Sequence, residues 1–92
     1  MRYFLVIIPP DSKADGSKLS AFKRHAAFCE GVWIVGADDS AEPAEQALGD
    51  HLELGKEEGW YGLVAPVNIS AITGFGKVNF VDQLMDWRQL DA

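Results

Sequence analysis

The stretch from Gly31 to Leu52, GVWIVGADDSAEPAEQALGDHL, limits the fold more than any other part of the chain. It passes from a buried, β-branched run (Val32 to Val35) through an acidic turn to a helix with its own start signals. Ser40 is placed to cap that helix, Glu42 favours its positive end, and Pro43 sits in the first turn, where its missing N–H costs little. Ala44, Leu48 and Leu52 recur at helical spacing and form the stripe to be buried. A strand followed at once by an amphipathic helix demands an α/β class.

The remaining elements are read from period and punctuation. Arg2 to Ile8 is apolar almost throughout and suits a strand inside a sheet, ended by Pro9 and Pro10, which cannot donate to a ladder. Asp11 to Gly16 is a polar loop. A first helix is expected from Ser17 as N-cap, with Leu19, Phe22 and Ala26 inward and Lys18, Lys23 and Arg24 outward. Its end has two readings. The helix runs on to Cys29, or it stops near His25 and leaves Ala27-Phe28-Cys29 as a short strand. In the second case Glu30-Gly31 is a hairpin turn into Val32–Val35. The hairpin is preferred, because it gives a β-α-β-β-α-β order.

Gly55 to Gly59 is a charged loop. Trp60 to Ile69 reads as a strand, with Pro66 marking a bulge or an edge. Ser70 to Lys77 is glycine-rich. Val78 to Leu90 closes the chain as a helix whose wide apolar face carries Phe80, Val81, Leu84, Met85 and Trp87.

Ninety-two residues, 48% of them hydrophobic, suit one domain over residues 1–92 with a core of its own. The single Cys29 excludes an internal disulfide framework and a multi-cysteine zinc site. No apolar run approaches bilayer length and no secretory leader is recognised, so a cytoplasmic location without a membrane partner is expected. The net charge of −6 works against phosphate backbones, so nucleic acid is disfavoured as a partner. The charges are nevertheless segregated. Lys13, Lys18, Lys23 and Arg24 lie together, and Asp38 to Glu58 is strongly acidic. The plain reading is two solvated faces; the sharper one is a basic side that meets an acidic protein partner.

Chemistry-bearing patterns are few. Thr73-Gly74-Phe75-Gly76-Lys77 puts glycines and a lysine before a helix, and Gly74, Gly76 and Lys77 are candidates for an anion site. The pattern lacks the spacing and the Ser or Thr of a P-loop, so a flexible turn explains it as well. His25 and Cys29 share a helix face only if the helix is continuous, and two ligands do not make a zinc site. His51 is explained by the helix C-terminus. Asp38 and Asp39 have the chemistry for a divalent cation, and the capping turn accounts for them without one. Asn68-Ile69-Ser70 matches a glycosylation sequon without a visible secretory route. No cofactor is expected.

MRYFLVII, GVWIVGADDSAEPAEQAL, GLVAPVNIS and DQLMDWRQ together resemble the small ferredoxin-like proteins related to the CRISPR-associated adaptation nuclease family. The resemblance covers most of the chain and lies in the order of elements. It implies a ferredoxin-like fold and dimerisation. In that family an Asp or Asn ends the first strand, beside its twofold mate, and holds a metal. Here Ile8-Pro9-Pro10 stands at that place and Asp11 follows, so Asp11 is the family-implied metal ligand and nuclease activity is not expected.

The expectation is therefore an α+β sandwich, ferredoxin-like β-α-β-β-α-β with an additional C-terminal helix. Helices one and two cover one sheet face. Tyr3, Leu5, Trp33, Phe80 and Trp87 are candidate interface residues, because an apolar second face asks for a cover, either the last helix of the same chain or a mate. The function expected is a small non-enzymatic, homodimeric binding or adaptor protein. The alternatives are a divalent-metal nuclease using Asp11 and a binder of small anions at the Gly74–Gly76 loop.

Overall fold

A computed structural model of the chain describes residues 1–38 and 42–90. Four strands, β1 (Arg2–Ile7), β2 (Arg24–Cys29), β3 (Val32–Ala37) and β4 (Leu63–Val67), form one sheet in the order β2-β3-β1-β4. Every neighbouring pair is antiparallel. Two α-helices, α1 (Ala44–His51) and α2 (Val78–Leu90), and two short 3-10 segments, Gly16–Ala21 and Ile69–Ala71, complete the chain. The fold is α+β.

The hairpin reading of residues 27–33 holds. Cys29 ends β2, Glu30 and Gly31 turn, and Val32 opens β3. Gly31 has φ +80°, and a Cβ there would lie 2.3 Å from the Ile8 carbonyl oxygen. Only glycine meets both demands. Ile8 N–H donates to Gly31 O at 2.7 Å, which ties the turn to the end of β1. Register shifts between Ala27 and Cys29, so Phe28 forms a bulge.

The first helix is shorter than the sequence suggests. Gly16–Ala21 is a single 3-10 segment, and its cap is Asp15, not Ser17. Asp15 Oδ1 accepts from Ser17 N (2.9 Å) and from Ser17 Oγ (2.7 Å), and Ser20 Oγ donates to Ser17 O at 2.8 Å. Such local side-chain bonds compete with α-helical propagation. The residues from Arg24 onward gain more by pairing with β3. Ser40, expected to cap α1, lies outside the described residues. Pro43, just before α1, accepts through its carbonyl from Gln46 N and Ala47 N.

Residues opposite one another in the register share a face, and the pleat divides the core in two. On one face Phe4, Val6, Ile8 and Val35 meet Leu19 of the 3-10 segment and Ala44, Leu48 and Leu52 of the α1 region. On the other face Tyr3 and Ile34 meet Ile69 and the α2 residues Phe80, Leu84 and Trp87. The second face is thus covered by the last helix of the same chain. Phe80 meets Phe28 edge to face at 5.2 Å, and Trp87 stacks on Tyr3 at 5.7 Å. Phe28 lies at the Val32 end of β2, whereas Tyr3 pairs with Val67 at the opposite end of β4. α2 therefore crosses the sheet diagonally, and two corners stay open.

Candidate functional site

One open corner holds the chain's clearest surface feature. In register, Leu63 pairs with Ile7 and Ile7 with Val32, while Ala65 pairs with Leu5. All five side chains lie on the α2 face of the sheet, and of them Leu5 borders the cluster under that helix. Leu63 is 66% exposed, Ala65 is exposed, and Leu5, Ile7 and Val32 are half-buried. β4 is an edge strand, so its outer N–H and C=O groups are open to a further strand.

The charge pattern singles out the same edge. No charged residue occurs between Glu58 and Lys77 in a chain of net charge −6. That stretch contains β4 and the loop to α2, with Tyr61 and Phe75 exposed, the latter by 80%. The other edge, β2, is guarded in the usual ways: Lys23 precedes it, Arg24 and His25 open it, and the Phe28 bulge interrupts it. On β4 only Pro66 breaks the supply of donors, and a proline within a strand belongs at an edge. The gap in charge is visible in the sequence. Its place along one edge is not, because strand order comes only from the fold.

The residues picked from the sequence fall in several places. Tyr3 of β1 and Phe80 and Trp87 of α2 are buried in one cluster between the sheet and that helix. Leu5 borders that cluster and continues into the open corner. Trp33 lies on the opposite face, against the α1 core. Gly74 lies against Phe80 and Val81, Gly76 has φ +81°, and Lys77 is exposed; Lys77 O accepts from Val81 N at 2.9 Å. Between the two glycines the loop presents Phe75, so its tip is apolar.

Asp11 is exposed beyond the prolines, and its carboxylate accepts from the Tyr61 hydroxyl, which holds that phenol above its usual pKa. Ser12 joins the same two loops, its Oγ donating to Tyr61 O at 2.6 Å. His25 and Cys29 stand on a strand, about 13 Å apart at strand rise. His25 Nδ1 bonds Phe22 O at 2.8 Å. Asp38 lies 3.5 Å from the N-terminal amine, and Asp39 lies outside the described residues. Asn68 Oδ1 accepts from Ser70 N at 3.0 Å and so caps the second 3-10 segment. Among the described residues no three His, Cys, Asp or Glu side chains gather as a metal site. No described helix is long and apolar enough to cross a membrane.

The basic segment is not a single patch. Lys18 Nζ pairs with Glu53 Oε2 at 3.1 Å, and Arg24 donates to the Tyr3 hydroxyl. Part of the segregation seen along the sequence is thus cancelled in space.

No family model, curated protein or solved structure matches the chain.

Proposed function

We propose that the chain is a small, non-enzymatic, homodimeric binding or adaptor protein of the cytoplasm, a ferredoxin-like domain over residues 1–92. The strand order β2-β3-β1-β4, antiparallel throughout, supports the ferredoxin-like reading, with the first helix shortened to a 3-10 segment. The resemblance to the small CRISPR-associated ferredoxin-like proteins agrees with it.

The observation that carries the proposal is the uncharged, open β4 edge with its apolar corner. Two copies of net charge −6 repel one another over most of their surface, and β4 offers the approach with least repulsion. A twofold axis beside an edge strand places its mate antiparallel to it, and the two sheets join into one. Leu63 and Ala65 of each copy then cover the open corner of the other.

Sedimentation velocity at micromolar concentration tests this. The expected wild-type mass is twice 10.1 kDa, and Leu63→Lys is expected to be monomeric with an unchanged far-UV spectrum. A wild-type monomer, or a dimer indifferent to Leu63→Lys, removes the proposal. The non-enzymatic part has its own assay. Neither the wild type nor Asp11→Ala is expected to cleave RNA or DNA with magnesium or manganese. Cleavage by the wild type that is lost in Asp11→Ala would restore the nuclease reading.

A further inference from the structure

A cleft of about 350 Å³ lies on the α1 side of the sheet, between the loop after β1 and the β2–β3 hairpin. Its volume falls in the range of small-ligand sites. Ile8, Pro9, Pro10, Ala14 and Ala27 give it apolar walls, and half-buried Trp33 lines it from β3. Among the described residues its ionisable lining groups are Asp15, Glu30 and the Cys29 thiol, with no Lys, Arg or His.

Two glycines shape it. A Cβ on Gly16 would come within 2.9 Å of Trp33 Nε1, so glycine lets the loop close against the indole edge. Gly31 plays the same part at the hairpin, beneath Ile8 O. Asp15 is held in place by its two bonds from Ser17 through Oδ1, which also keep its carboxyl below the usual range and therefore ionised. Glu30 is exposed at the turn.

We propose that this cleft binds a small organic ammonium ion. The apolar walls, with the Trp33 indole among them, suit the alkyl part, and two rim carboxylates supply the complementary charge. An anionic ligand is opposed by both carboxylates. A neutral apolar ligand makes no use of them. The cleft borders β2, at the opposite edge of the sheet from β4, so this proposal does not rest on dimerisation.

The test is a titration of the isotope-labelled protein with choline chloride, followed by amide and indole resonances. The Trp33 Nε1–H signal is assigned by its loss in Trp33→Phe. A saturable shift is expected at that indole and at the Gly16 and Gly31 amides, with none in sodium chloride of equal ionic strength. The double variant Asp15→Asn, Glu30→Gln keeps a capping oxygen at position 15 and is expected to bind about tenfold more weakly. Ala27→Arg, on an exposed edge position, places a tethered cation at the mouth and is expected to abolish the shift. Leu63→Lys is expected to leave it intact. The proposal fails if no saturable shift occurs, if sodium chloride reproduces it, or if both cleft variants bind as the wild type does.

Discussion

Trp87 shows what one side chain decides here. It is 3% exposed and stacks on Tyr3 with an interplanar angle of 30°. Tyr3 in turn takes the Arg24 hydrogen bond through its hydroxyl, so a single ring fixes α2 against β1 and, through Tyr3, against the side chain that opens β2. Trp87→Ala is expected to cost about 3–5 kcal/mol, the range of large aromatic truncations in cores. Chemical denaturation with an unchanged slope checks it, and a loss under about 1 kcal/mol would mean that α2 contributes little. The stripe Phe80, Leu84, Trp87 is legible in the sequence because its 3.6-residue period is unbroken. What lies beneath it is not, since an amphipathic helix states that it needs a cover and leaves open whether its own chain supplies one. Met85, counted on that apolar face, is 49% exposed, because α2 meets the sheet with a narrower stripe than its composition permits.

Among the elements, the first helix is reduced to a 3-10 segment, and the reason is local. Leu19 and Phe22 have helical spacing, and both pack inward, Leu19 fully and Phe22 partly. A 3-10 segment places them almost as well, so burial alone does not distinguish the two helices. The balance is set by Asp15, Ser17 and Ser20 bonding among themselves and by β2 pairing with β3, a contact distant from that segment in its cause. The exposed rim of the seam between this segment and α1 is polar. His51 Nε2 meets Lys18 O at 2.9 Å, and Glu53 receives Lys18 on one oxygen and Lys56 on the other at 3.2 Å. Hydrogen bonds from the two lysines hold the Glu53 carboxyl below its usual value of 4.5. Because the folded value is depressed, the stability Glu53 contributes is present above 4.5 and is lost as pH falls through the folded value. Between about pH 5 and about pH 3 the wild type is therefore expected to lose slightly more melting temperature than Glu53→Gln. The pair is exposed, so the difference is expected to be small and to vanish in high salt. Melting curves of both proteins across that range decide it, and equal losses at low salt would show that the seam is held without the ion pairs.

At the scale of the whole molecule, charge and shape act together. The α+β class, the hairpin and both α-helices follow from patterns within the sequence, but no local pattern states that β4 is an edge, or that α2 leaves the corner at Leu63 bare. Strand order places the uncharged run from Gly59 to Gly76 along one edge of the sheet, the approach that the proposed dimer uses. This has a consequence that separates apolar pairing from an ion-paired alternative. If the dimer were held by the basic segment of one copy on the acidic segment of another, salt would weaken it. If it forms at β4, salt screens only the repulsion between two chains of −6 and leaves the apolar contact and the strand pairing in place. Raising the salt from about 0.01 M to about 1 M shortens the screening length from about 30 Å to about 3 Å, and the dimer is expected to tighten. Sedimentation equilibrium at several salt concentrations measures this directly. A dimer that loosens steadily as salt rises would assign the contact to the charged faces and take it away from β4.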